Sequence, residues 1–170
     1  ADTLVNQHPD KETLKDIARL TANTIRFFNE EPKIAGISFS SFGVDKTGSP
    51  RLMHDVVAEL QAEDPNLKID GEMTVDLALD HKRRDEKYPF LRLHGANVNS
   101  MIFTSLSAAN SAYRLIKQFS PETEVIGPIQ MGLNKPIHFT DFDSSVRDIV
   151  NITAVAVIDA YVNKIKNTRK

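Results

Sequence analysis

Two hydrophobic periodicities alternate along this chain, and that alternation restricts its fold more than any other feature. Leu14, Ile17, Ala18, Thr21, Ile25 and Phe28 recur at helical spacing behind Asp10, a residue suited to capping a helix N-terminus. That helix is expected to end near Asn29-Glu30. After Pro32 the helical period is lost, and Ile34-Ala35-Gly36-Ile37-Ser38-Phe39 reads as a buried strand that delivers Ser40-Ser41-Phe42-Gly43 at its carboxyl end. Ser49 as N-cap with Pro50 at the first helical position predicts a second helix, with Leu52, Met53, Val56, Val57 and Leu60 on one face and a stop at Asp64-Pro65-Asn66. A short strand at Leu67-Lys68-Ile69 then precedes Asp70-Gly71-Glu72, and Thr74 to Asp80 forms one or two helical turns. The charged stretch from His81 to Lys87 reads as a mobile loop.

The second half repeats the scheme. Ser100-Met101-Ile102-Phe103 is a buried strand, Ala108, Ala109, Ala112, Leu115, Ile116 and Phe119 mark a helix, and Glu124-Val125-Ile126 is a further strand. Ser145 with Asp148 three residues later resembles a capping box opening a final helix that carries Ile149, Val150, Thr153, Val157 and Tyr161. Strands alternating with helices imply right-handed crossovers and a mainly parallel sheet covered on both faces, a three-layer α/β fold. Ligands in such sheets bind beyond the carboxyl ends of the strands, so the loops after Phe39, Phe103 and Ile126 are expected on one rim.

At 170 residues the chain fits one domain spanning 1–170. It opens on Ala1 with no Met and no signal-like stretch, and so reads as a fragment of something longer. No run of about 20 apolar residues is present to cross a bilayer. A net charge of −2 does not recommend nucleic acid as a partner. The absence of cysteine excludes disulfides and thiolate chemistry and agrees with a cytoplasmic location. The basic groups Lys82-Arg83-Arg84 and Lys164, Lys166, Arg169 and Lys170 are expected to be solvated surface.

Several signatures are missing. The glycines form neither G-x-G-x-x-G nor a P-loop, no G-x-S-x-G elbow occurs, and the five histidines show no metal spacing. Asp141 and Asp143 can be ligands for a hard cation, but turn and capping roles explain them more simply, and no metal site is expected. What remains is a set of polar residues near strand ends: Ser40 and Ser41, Asn97, and Asn110, Tyr113, Arg114 and Lys117, which neighbour one another on one helix face. Together they can bind phosphates and an adenine. Individually, Asn110 serves equally well to tie down a loop, and Tyr113 to fill a core.

The same residues carry a resemblance to the phosphate acetyl/butyryltransferase family over nearly the whole chain. Ile37-Ser38-Phe39-Ser40, Asp70-Gly71-Glu72-Met73, Ala96-Asn97 ahead of Ile102-Phe103, Asn110 with Tyr113, and the Gly127-Pro128 to Lys135-Pro136 run each resemble a family segment, in the family's order. The resemblance implies the second lobe of the phosphotransacetylase fold, which is isocitrate/isopropylmalate dehydrogenase-like. Ser41-Phe42-Gly43, Tyr88-Pro89-Phe90-Leu91-Arg92-Leu93 and Val146-Arg147-Asp148-Ile149-Val150-Asn151 are more similar to the C-terminal domain of hybrid NADP-dependent malic enzymes.

In active relatives an Asp matching Asp148 helps deprotonate coenzyme A, a Ser steadies the charged intermediate and an Arg grips acetyl phosphate. Asp148 is retained here, but Asp141 replaces the Ser and Phe142 the Arg. The resemblance therefore implies a non-catalytic domain that binds acetyl-CoA or CoA through Ser40, Ser41, Asn97, Asn110, Tyr113, Arg114, Lys117 and Asp148 and inhibits a malic domain of the same chain. NADP and a divalent metal would belong to that malic domain alone, and a homo-oligomer with a dimer contact in this domain is expected. Helix capping alone also explains Asp148. The alternatives are an active acetyl- or butyryltransferase, converting acetyl-CoA and phosphate to acetyl phosphate and CoA with Arg92 or Arg147 in place of the lost Arg, and a purely oligomerising domain.

Overall fold

A computed structural model describes residues 1–119, 125–142 and 144–168. The order of elements is α1 (Lys11–Phe27), β1 (Lys33–Ile37), α2 (Gly48–Glu63), β2 (Lys68–Met73), α3 (Val75–Leu79), α4 (His81–Lys87), β3 (Ser100–Phe103), α5 (Leu106–Phe119) and α6 (Val146–Thr168). The chain forms two compact units, Ala1–Arg114 and Leu115–Lys170.

The first unit is built on a parallel sheet in the order β2-β1-β3. Side chains alternate across the central strand. Ile34 joins Leu14, Ala18, Met53, Val56, Leu60, Ile69 and Ile102 under α1 and α2, while Ala35 and Ile37 join Met73, Leu77, Ala78 and Leu93 under α3 and the segment after α4. This is the expected three-layer α/β arrangement, and it follows from period-2 side chains meeting helices on both faces. Two glycines permit its closest approaches. A Cβ on Gly36 would stand 2.7 Å from Met53 Sδ, and one on Gly71, whose φ is +150°, would stand 2.6 Å from the Gly36 carbonyl oxygen.

Several boundaries differ from the sequence reading. β1 stops at Ile37; the Ser38 N–H still donates to the Met73 carbonyl, but Phe39 beyond it is exposed. α2 begins at Gly48 behind Thr47, whose side chain makes no capping bond; the Asp45 carboxylate instead accepts from the Thr47 N–H at 2.8 Å and its hydroxyl at 2.7 Å. β2 runs through Asp70-Gly71-Glu72 to Met73. Asp70 is held by the Leu93 N–H at 2.7 Å and Gln61 Nε2 at 3.0 Å, although burial pushes its carboxyl upward. Val125 and Ile126 are not in a strand, and Glu124 lies outside the described residues.

The stretch expected to be a mobile loop is helix α4. Asp80 caps it by accepting from the Arg83 N–H at 3.1 Å, and Arg84 anchors it. Contrary to the expectation of solvated surface, Arg84 is completely buried and donates to the carbonyls of Ala78, Leu93 and Ala96 at 3.3, 2.7 and 2.6 Å. A guanidinium has enough donors to satisfy three carbonyls that no apolar side chain can. Arg169 and Lys170 lie outside the described residues. Among those described, no helix is long and apolar enough to cross a membrane.

Urea unfolding monitored by circular dichroism should show Gly71→Ala destabilised by about 2–4 kcal/mol, from backbone overlap and a disfavoured φ. Arg84→Leu should lose about 3 kcal/mol, because it leaves buried carbonyls without donors.

Candidate functional site

Parallel pairing sets Ile37 beside both Met73 and Phe103, so the carboxyl ends of the three strands form one rim. The segment from Ser38 to Asp45 is fastened along it. Ser38 N–H donates to the Met73 carbonyl at 2.9 Å, and Ser41 Oγ accepts from the Thr74 N–H at 3.2 Å. Ser40 is buried, and its Oγ accepts from the Asp45 N–H at 3.0 Å. Phe42 and Gly43 donate their N–H groups to the carbonyl and the Oε1 of Glu72, at 2.9 and 2.6 Å. The two serines singled out from the sequence thus share one pinned loop. The residue that pins it, Glu72, was visible only as part of a family-like segment, since a fully buried carboxylate inside a strand has no signature in periodicity.

Phe42 also packs on Tyr88, with ring centroids 4.4 Å apart, and meets Phe90 at 6.2 Å. These rings come from the Ser41-Phe42-Gly43 and Tyr88-Pro89-Phe90 segments, which chain distance gives no reason to pair. Their tilted and edge contacts make an aromatic corner in which Phe90 stays exposed.

The other predicted residues lie outside this loop. Asn97 stands exposed ahead of β3. Asn110 Nδ2 donates to the Thr3 carbonyl at 3.0 Å while its Oδ1 accepts from Arg114 Nε at 3.0 Å, so the loop-tying role is realised. Tyr113 is half-buried, and Arg114 and Lys117 are exposed. Arg92, considered as a substitute phosphate grip, is committed to the carbonyls of Gln61 and Pro65 at 3.1 and 3.0 Å, ahead of β2 and away from the rim.

In the second unit, Asp148 completes a reciprocal capping box at the start of α6. Its carboxylate accepts from the Ser145 N–H at 2.9 Å, and its own N–H donates to Ser145 Oγ at 3.1 Å. The Ser145 N–H, then the Ser145 side chain, and more weakly the charges of Lys117 and Arg147 hold its carboxyl below the usual carboxylate range. Phe142 is fully exposed where the resemblance implies an arginine. Asp143 lies outside the described residues, and among those described no cluster of His, Asp and Glu can hold a metal ion.

Residues 1–157 match the family model described as phosphate acetyl/butaryl transferase. The chain is 39% identical over 160 residues to the NADP-dependent malic enzyme of Salmonella typhimurium, a match covering 94% of this chain and 21% of that protein. It is 37% identical over 161 residues to the phosphate acetyltransferase of Clostridium acetobutylicum, covering 94% of this chain and 48% of that one. A phosphotransacetylase from Streptococcus pyogenes has a similar fold, with a TM-score of 0.85 and 30% identity over 95% of this chain and 48% of the other. The chain therefore spans only about a fifth to a half of the length of these relatives. With the family match running from residue 1 to residue 157 and the parallel α/β fold shared with solved phosphotransacetylases, the chain belongs to the phosphate acetyl/butyryl transferase family.

Proposed function

We propose that this chain is a non-catalytic regulatory domain of a hybrid NADP-dependent malic enzyme and binds acetyl-CoA as an allosteric inhibitor of the malic domain. The observation that carries this reading is the state of the 141–148 segment. A hydroxyl is replaced by the Asp141 carboxylate, a bidentate phosphate donor by an exposed Phe142, and the retained Asp148 is engaged in capping α6. Phosphoryl charge requires preorganised positive donors, and a carboxylate at Asp141 opposes that requirement. A general base works best when its pKa lies near the operating pH, and a carboxyl depressed by its capping bonds is shifted away from that range.

Loss of acyl transfer does not remove the means of binding. Coenzyme A presents a pyrophosphate, an adenine and an apolar arm, which call for N–H donors, cationic side chains and aromatic or apolar surface rather than a Ser-Arg pair. Ser40, Ser41, Asn97, Asn110, Tyr113, Arg114, Lys117 and Asp148 are the residues proposed to meet it. Ligand that binds one conformation of the assembly more tightly than another shifts the malic domain by linkage. Exposed Val146, Val150, Val157 and Tyr161 on α6 favour a homo-oligomeric contact there.

Calorimetric titration of the chain with acetyl-CoA should give saturable binding, and a flat trace would remove the sensor reading. With acetyl phosphate and coenzyme A, thiol consumption should stay at the uncatalysed rate. The retained Asp148 and the 37% identity to a phosphate acetyltransferase favour active transfer as the second reading. Sustained turnover abolished by Asp148→Ala would establish it.

A further inference from the structure

The rim holds a buried acid that acetyl-CoA recognition does not explain. Glu72 is fully buried. Its Oε1 accepts from the Gly43 N–H at 2.6 Å, whereas Oε2 is sealed from solvent without a hydrogen bond and faces His54 Nδ1 at 3.3 Å. A carboxylate withdrawn from water depends on a nearby counter-charge and on satisfied lone pairs. The elements packed on α2 supply no other cation to it among the described residues. On α1, Lys11 and Lys15 pair with Glu59, and Arg19 pairs with Glu63. Lys33 on β1 and Lys68 on β2 pair with Glu31, and Asp70 is held by Leu93 and Gln61. On α2 itself Arg51 pairs with Asp55. His54, half-exposed on α2, is the recorded ion-pair partner of Glu72.

What the acid holds is unusual backbone. Phe42 has φ +49° and Gly43 has φ +82°. A bulky residue in the left-handed region is disfavoured and needs bonds to keep it there. Two bonds from Glu72 do so, one to its carbonyl and one to its carboxylate, and only the second responds to charge. The same turn fixes Ser40, Ser41 and the Phe42 ring.

We propose that Glu72 and His54 are a positioning pair for the Ser40-Ser41-Phe42-Gly43 loop, so that the charge balance between them sets the affinity of the rim for its ligand. The identity of that ligand rests on the acetyl-CoA reading above. The His54 imidazole facing Oε2 keeps the carboxylate oriented on Gly43. With the imidazole removed, the buried charge lacks an opposite partner, and moving toward water would pull it from the loop.

The test joins amide hydrogen exchange on the ligand-free chain to calorimetry with acetyl-CoA. His54→Ala should speed exchange at Phe42 and Gly43 about tenfold, leave Ile34 to Ile37 unchanged and weaken acetyl-CoA binding about tenfold, as the Gly43 N–H bond to the Glu72 carboxylate is lost. The double variant Glu72→Gln with His54→Ala should recover both values, because a neutral amide oxygen still accepts from Gly43 and needs no counter-charge. A folded His54→Ala protein with unchanged exchange, faster exchange without loss of affinity, or a double variant no better than the single one overturns the proposal. If His54→Ala does not fold, His54→Gln, which offers a neutral donor to Oε2, takes its place with intermediate effects expected and no effect decisive against the pair. Wild-type chain that does not bind acetyl-CoA overturns the proposed function, while the exchange measurements still decide whether the pair holds the loop.

Discussion

Everything in the first unit depends on how closely β1 is approached from two directions. The strand bonds to β2 on one edge and β3 on the other, so a displacement of its backbone would disturb both pairings. Gly36 lets Met53 and Val57 of α2 lie directly on the strand, and Gly71 lets β2 draw against the Gly36 carbonyl. Side chains at these positions would force α2 outward or break the pairing near the register shift that separates Gly36 from Ile37. The rim follows from this arrangement. Only with β1 and β2 drawn together can Ser38 bond to Met73 and Phe42 to Glu72, and those bonds fix the loop that carries Ser40 and Ser41.

The elements that were legible in the sequence are those whose own residues dictate them. The cap at Asp10, the helical stripe through Leu14 and Ala18, and the box between Ser145 and Asp148 are local, and each appears as expected. The parallel α/β class was legible for a similar reason, since buried strands separated by amphipathic helices leave few other packings. What could not be read was set by partners distant in sequence. Arg84 looked like surface because its three carbonyls lie before and after it, at Ala78, Leu93 and Ala96, and nothing in the run Lys82-Arg83-Arg84 distinguishes the anchored residue from its exposed neighbours. From its sequence β2 reads as short because Asp70 and Glu72 are polar, and the groups that make them tolerable inside the protein come from other segments. The candidate site divided along the same line. Ser40 and Ser41 stand out as a strand-end pair in the sequence, whereas Glu72 and His54 meet only because the fold sets them 3.3 Å apart.

Asp148 illustrates how one residue satisfies two accounts without contradiction. The family resemblance assigns it to thiol activation, and the local pattern assigns it to capping; the structure contains the capping geometry in full. A carboxylate can serve as a base only with the proton affinity its surroundings leave to it. Here the Ser145 N–H and side chain, with Lys117 and Arg147, favour the ionised form. The acid is thus held in its ionised form at the start of the helix.

The surroundings of Asp141 and Phe142 show that the side chains at these two positions carry little structural load. Neither residue belongs to the two buried clusters that hold the sheet, and Phe142 projects fully into solvent. α6 keeps its cap through Ser145 and Asp148 whatever side chains stand at 141 and 142. Folding therefore places almost no constraint on those two positions, whereas acyl transfer would place a strict one. Side chains at 141 and 142 are thus free to vary without disturbing the clusters that hold the sheet.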